Sequence, residues 1–308
     1  MRIVFFGTPD FAVPSLKKLY ESRHTIEAVV TTPDRERGRG RKVTFTPVKQ
    51  FAVDNNIPVF QPERLKDENF ISAIREIRGD LFVVVAYRIL PPEIFQLPPK
   101  GVFNLHGSLL PKYRGAAPIQ WSIINGDTET GLTTFFLEQK VDTGNTILQE
   151  KISIENGDDL GTMHDKMMEL GADLVLKTVD LIEQGHVTTT PQDDSIVSPA
   201  PKITKETCHI DWNKPAQQLH NLVRGLSPYP AAFFTHDEKN YKVYKTKLVT
   251  IFQPDNLQLG NLKPSQIHQT KNEIYFGTSE GIIQILELQL EGRKRMTAEE
   301  FLRGYSLI

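Results

Sequence analysis

The chain has 308 residues, 39% of them apolar and 24% charged, with a formal net charge of −2. That length exceeds one compact domain and suits two. The sequence contains no run of 18 apolar residues, so a membrane span is excluded, and its single cysteine, Cys208, rules out an intramolecular disulfide or a Cys-based zinc site.

The first residues, Met1-Arg2-Ile3-Val4-Phe5-Phe6-Gly7, carry one positive charge and only a short apolar run. They predict a strand that ends in a glycine turn rather than a signal peptide, and the expected compartment is the cytoplasm. A helix is predicted over 9–20, with Pro14 in its first turn, where a missing N–H costs little. Strands follow at 25–31, 80–86 and 101–106, and helices at 48–55, 69–77 and 117–125. The almost unbroken apolar character of 81–86 suits a strand buried on both faces of a parallel sheet. Strands alternating with helices predict a doubly wound, Rossmann-like α/β domain with a mostly parallel sheet. The turn Gly7-Thr8-Pro9-Asp10 has one glycine and a proline, so it fails the dinucleotide fingerprint.

The pattern then changes. Strands at 132–137 and 146–154 follow one another without a helix, and one long helix spans 160–183, ended by Gly185. Residues 188–207 are rich in Pro, Ser, Thr and Asp and predict a linker. Beyond it, a helix at 215–225 and short strands at 232–235, 241–250, 273–277 and 281–290 predict a small, OB-like β-barrel. The resulting domains are 1–187, a linker over 188–207, and 208–308. The last part is mildly basic: from residue 201 onward there are 14 Lys or Arg against 11 Asp or Glu, a balance of +3.

The dense chemical signal is Asn104-Leu105-His106-Gly107-Ser108-Leu109-Leu110-Pro111, followed by a loop with Gly115 and then by Asp142-Thr143-Gly144, an acidic residue in a turn expected to follow an edge strand. Asn104 and His106 are two apart on a strand, so they share a face, at the carboxyl end where open α/β sheets bind ligands. Singly, each residue has an ordinary structural explanation: a capped backbone, a satisfied histidine, a turn. Their joint occurrence argues for a site. The eight histidines make no HxH or HxxxH pair, so no metal is expected.

This constellation resembles the signature of the 10-formyltetrahydrofolate-dependent formyltransferases, and the likeness extends over essentially the whole chain. Ser198-Pro199-Ala200-Pro201-Lys202-Ile203, Ile210-Asp211-Trp212 and the run Asn221-Leu222-Val223-Arg224-Gly225 resemble the linker and second-domain entry of the methionyl-tRNA formyltransferases within that family. The resemblance implies that Asn104, His106 and Asp142 are the catalytic set. It implies that Ser108, Leu109, Leu110 and Pro111 form the folate-binding loop, and that 10-formyltetrahydrofolate is the formyl donor. The implied partner is initiator methionyl-tRNA, engaged by a monomer. Residue types agree with that chemistry. An amide N–H from Asn104 and a protonated His106 can donate to the oxyanion that forms when an amine attacks a formyl carbon. A carboxylate such as Asp142 favours the charged imidazole and can relay a proton.

The segment from Thr32 to Lys42 holds five basic and two acidic residues, with Gly38 and Gly40 on either side of Arg39. Composition alone slightly favours a solvated loop. The resemblance implies instead an insertion that meets the tRNA acceptor stem; Arg39, between two glycines that let the backbone approach nucleic acid closely, is then the expected main contact, with Arg41 and Lys42 in support. Sugar-nucleotide formyltransferases share the Asn-x-His and Asp-x-Gly motifs and are the alternative for the acceptor. Free-standing glycinamide ribonucleotide formyltransferases are shorter. A catalytically silent folate- or RNA-binding module is disfavoured by the complete Asn/His/Asp set.

Overall fold

The computed structural model describes residues 1–37, 42–249 and 262–308. The chain divides into two compact units, one made of Met1–Pro118, Thr130–Ile152 and His164–Ala200, the other of Ile119–Glu129, Ser153–Met163 and Pro201–Ile308.

In the first unit, β1 (Arg2–Gly7), β2 (Thr25–Val30) and a short ribbon of β3 (Arg35–Arg37) and β4 (Lys42–Thr44) come first. Then follow β5 (Val59–Phe60), β6 (Leu81–Val85), β7 (Val102–His106), β8 (Arg114–Gly115), β9 (Glu129–Phe136), β10 (Thr146–Ser153) and β11 (Pro199–Ala200). The main sheet has the order β10-β9-β7-β6-β1-β2-β5. Strands β5, β2, β1, β6 and β7 are parallel, and β9 is antiparallel to β7. All five residues of β6 are buried, as a strand covered on both faces requires. One face of the sheet packs Val4, Phe6, Phe82 and Val84 against Phe70, Ile74 and Ile94. Those covering residues come from α3 (Glu68–Ile77) and α4 (Pro92–Phe95). Before these lie α1 (Val13–Tyr20) and α2 (Pro47–Asp54).

Local capping sets the helix boundaries. The Asp67 side chain accepts from Phe70 N and starts α3, and Thr46 does the same for α2 by accepting from Lys49 N. The long helix α6 (Leu160–Gln184), which follows α5 (Pro118–Ile124), stops at Gly185, whose φ of 71° only glycine adopts without cost. One expectation needs correcting. The strand that precedes Asp142 is not at the sheet edge, because β10 lies outside it; two-residue alternation cannot tell an edge strand from its neighbour.

The second unit is built on α7 (Ala216–Leu226) and an antiparallel sheet ordered β12-β13-β16-β15-β14, with β17 added beside β16. Its strands are β12 (Ala232–His236), β13 (Lys239–Leu248), β14 (Ile267–Gln269), β15 (Ile274–Gly277), β16 (Ile282–Leu290) and β17 (Met296–Thr297), followed by α8 (Ala298–Leu302). The barrel-like second domain expected from the strand spacing is present as an antiparallel sheet curled into a half-barrel, running from β12 to β14 among the described residues. Leu219, Val223 and Leu226 of α7 pack with Phe234, Val243, Phe276, Ile285 and Phe301. Trp212 stacks on Phe276 with ring centroids 4.1 Å apart. Thr297 and Glu300 form a capping box on α8, and β17 and α8 were not legible as elements because two and five residues are too few for a hydrophobic pattern to repeat.

His220 of α7 carries a pH-dependent contribution to this unit. Its Nδ1 lies 2.9 Å from Thr246 Oγ1, and burial, assisted by the positive charge of Arg224, lowers its pKa to about 4. The unfolded chain holds its histidines at an ordinary pKa of about 6.5. Between these values the unfolded state binds the extra proton, so stability falls as the pH drops through that window. Thermal melts taken at intervals from pH 7 to pH 4 are expected to show a smaller acid-induced loss of Tm in His220→Gln than in the wild type.

Candidate active site

Strand β7 delivers Asn104 and His106 to one face of the sheet at its carboxyl end, and β9 places Phe135 opposite Asn104 and Thr133 opposite His106. The His106 ring is edge-on to Phe135, with centroids 6.4 Å apart at 84°. The next residues turn back sharply and are fastened by side chains of β9 and β10. Thr133 Oγ1 donates to Ser108 O at 2.7 Å and accepts from Leu110 N at 3.1 Å. Gln149 Nε2 donates to Leu110 O at 2.8 Å and to Thr133 Oγ1 at 3.0 Å. The Ser108 hydroxyl donates to Lys112 O at 2.6 Å. Ser108, Leu110 and Pro111 are buried and Leu109 is half-buried, so these four side chains shape the loop from within.

The loop then returns to the histidine. Tyr113, with a φ of 60°, turns its carbonyl to His106 Nε2 at 2.8 Å. A carbonyl only accepts, so Nε2 carries a proton and the tautomer is fixed. The other nitrogen, Nδ1, faces Asp142 Oδ2 at 3.9 Å. Both side chains are largely covered, with relative exposures of 6% for His106 and 12% for Asp142. Gly115 N donates to Asp142 Oδ2 at 3.0 Å, which leaves Oδ1 as the freer carboxylate oxygen. Asp142 itself sits at a φ of 54°, a conformation that Asp tolerates better than most side chains. The structure thus brings His106 and Asp142 together and places Asn104 on the same strand face, half-buried.

Several contributors were not legible as site residues in the sequence. Gln192 and Ser198 lie in the stretch expected to be a linker, yet Ser198 Oγ accepts from Tyr113 N at 2.9 Å and Ser198 O accepts from Arg114 N at 2.9 Å. Gln192 bonds both Arg114 and the backbone around Asp142. Polar residues in a Pro-rich stretch read as solvated loop, and only the pairing of β11 with β8 makes them part of the site.

The basic segment is a short antiparallel ribbon at its base, with Arg35 paired to Thr44 and Arg37 to Lys42 along the backbone. Arg39 and Arg41 lie outside the described residues, and Lys42 opens β4. The ribbon is anchored by Asp34, which pairs with Lys49 and accepts from Gln61 Nε2 at 2.9 Å. Burial alone would raise the Asp34 pKa; the hydrogen bonds from Lys49 and Gln61 outweigh it and hold the group below its ordinary value.

One set of potential metal ligands comes together among the described residues, His24 with Asp180 and Glu183. Arg23 Nη2 bonds both carboxylates at 2.8 Å, so a guanidinium already supplies the positive charge there.

The formyl transferase family pattern matches residues 1–179, and the pattern of the formyl transferase C-terminal domain matches residues 202–306. The chain belongs to the formyl transferase family. Among its relatives is a methionyl-tRNA formyltransferase of Bacteroides fragilis, 48% identical over 100% of this chain and 96% of the relative. Another, the methionyl-tRNA formyltransferase of Caldanaerobacter subterraneus, is 45% identical over 100% of this chain and 98% of its own length. Among solved structures, the sugar 3N-formyl transferase WlaRD superposes with a TM-score of 0.70 at 20% identity, over 96% of this chain and 99% of that one. At that identity the last likeness concerns the fold. Family membership places the buried His106–Asp142 pair and the adjoining Asn104 in a formyl-transferring fold.

Proposed function

We propose that this chain transfers the formyl group of 10-formyltetrahydrofolate to the α-amino group of methionine on initiator methionyl-tRNA. The observation that carries the reading is the fixed His106–Asp142 pair at the carboxyl end of β7, in a chain whose full-length relatives are named methionyl-tRNA formyltransferases. In this reading Asn104, His106 and Asp142 are the catalytic set. The loop of Ser108, Leu109, Leu110 and Pro111 borders the folate, to which the side chains already buried in the loop contribute its shape. Folate use is supported by related folds solved with 5-N-formyl-THF and with tetrahydrofolic acid.

The chemistry follows from the commitment of Nε2 to a carbonyl. The neutral amine of the acceptor attacks the formyl carbon, a nitrogen–carbon bond forms, and the carbonyl pair moves onto the formyl oxygen. With Nε2 committed to Tyr113 O, a protonated His106 presents Nδ1–H to that oxyanion, and the Asn104 amide donates beside it. Asp142 stands 3.9 Å from Nδ1 and is negative where the imidazolium is positive. Its Oδ1 accepts the proton that the amine sheds, directly or through a water. The oxyanion pair then re-forms the carbonyl as the carbon–nitrogen bond to the folate breaks, the pair of that bond passes to the folate nitrogen, and a proton returned to that nitrogen completes the exchange. No covalent enzyme intermediate is required.

The acceptor is the finer part of the proposal. Domains at 1–187 and 208–308, joined by 188–207, assign the second, basic part to the tRNA backbone, and Arg39, Arg41 and Lys42 to the acceptor end. The test is steady-state formyl transfer from 10-formyltetrahydrofolate to charged initiator tRNA, with elongator methionyl-tRNA and a UDP-amino sugar as competing acceptors. The initiator tRNA is expected to win. Arg39→Ala is expected to raise its KM or lower its kcat while folate affinity is unchanged. Efficient formylation of the sugar with no response of tRNA kinetics to Arg39→Ala would replace the tRNA by a sugar-nucleotide acceptor.

A further inference from the structure

Gln192 is bonded on all sides by groups of the site. Its Nε2 donates to Asp142 O at 2.9 Å and to Gly144 O at 2.8 Å. Its Oε1 accepts from Arg114 Nε at 3.0 Å and from Arg114 Nη2 at 2.8 Å. Two acceptors on one side and two donors on the other admit only one orientation of the amide, because a flipped group would set oxygen against carbonyls and NH2 against a guanidinium.

These four bonds close a circuit through the site. Arg114 follows Tyr113, whose carbonyl holds His106 Nε2. The turn that Gln192 grips carries Asp142, whose carboxylate accepts from Gly115 N. One side chain therefore ties the segment that orients the histidine to the turn that presents the carboxylate. The backbone around Gln192 is itself held. Thr190 bonds Thr146 in both directions at 2.9 Å, and Pro199 and Ala200 pair with Arg114 and Gly115.

We propose that Gln192 is a positioning residue for the transfer, and that the 190–200 strap acts as the clamp setting the His106–Asp142 distance. The inference rests on the catalytic reading of that pair. Asp142 projects from a turn at positive φ, so without the two bonds to its own carbonyl and that of Gly144 the turn has alternatives to adopt. A misplacement of about 1 Å at a reacting group costs on the order of a hundredfold in rate.

The experiment is a double-mutant cycle on the full chain, read as kcat and KM for 10-formyltetrahydrofolate and charged tRNA, with thermal melts on every variant. Gln192→Glu keeps the volume and the Arg114 contact but turns an oxygen toward the two carbonyls; Gln192→Ala removes both sets of bonds. Each is expected to lower kcat by roughly tenfold to a hundredfold with both KM values within about twofold. In an Asp142→Ala background the same substitutions are expected to cost almost nothing further, because the group they position is gone. Gln192→Glu covers the case in which Gln192→Ala fails to fold. Unchanged kcat in Gln192→Glu, or full multiplication of the two losses in the double variant, overturns the proposal. Near-normal turnover in Asp142→Ala alone is a different result and overturns the catalytic reading instead.

Discussion

Replacing His106 by Ala is expected to lower kcat for formyl transfer by at least about a hundredfold while leaving KM for charged tRNA nearly unchanged. Removal of a single oxyanion donor costs on the order of 10²–10³ in rate, and the contact is made only as negative charge develops. The geometry sharpens the expectation. Because Nε2 is held by Tyr113 O, Nδ1 is the nitrogen available to the reacting oxygen. His106→Asn can place an amide at one of the two imidazole positions but not at both, so it is expected to recover little activity. Asn104→Ala is expected to lose less than His106→Ala, since it removes a neutral donor where His106 supplies a charged one. Single-turnover formylation, which separates chemistry from product release, checks both. Turnover within a few-fold of wild type in His106→Ala would remove the histidine from the chemistry.

The residues of the candidate site were more legible in the sequence than the groups that support them. Asn104 and His106 are legible because a strand's period of two puts them on one face, and β7 does so. Asp142 is legible only with the family resemblance, since an Asp-x-Gly turn alone is common. The parallel core was legible through β6, whose apolar run has no polar interruption. What was not legible depends on partners distant in the chain. Thr133 and Gln149 alternate unremarkably with their neighbours, yet both bond the loop after β7. Gln192 and Ser198 sit among prolines and acids that read as linker, and become site residues once β11 pairs with β8. Short elements escaped for another reason: β5, β8, β11 and β17 have two residues each, too few to show any periodicity.

The glycine of the Asp-Thr-Gly turn makes the second large effect. A Cβ on Gly144 would lie 1.7 Å from Phe136 O, inside any permitted contact, and the obstructing atom is backbone. Neither side can yield cheaply. Phe136 pairs with Phe103 of β7, and Phe136 N is bonded to Asn145 O at 3.2 Å, so the strand is held to the turn from both directions. Relief must come from opening the turn, which carries Asp142 and the carbonyls bonded to Gln192. Gly144→Ala is therefore expected to destabilise the fold by more than about 2 kcal/mol, in the range typical of severe steric and backbone conflicts. It should also lower kcat in whatever fraction remains folded. Gly157→Ala is the matched control, because a Cβ there meets nothing within 4 Å; it is expected to shift the transition by less than about 0.5 kcal/mol, as exposed substitutions do. Urea unfolding followed by circular dichroism, with kcat measured on the soluble fraction, decides the matter. A Gly144→Ala protein with wild-type midpoint and wild-type turnover would mean that the turn can open without moving Asp142, and that the close approach of Gly144 to β9 does not hold the carboxylate in place.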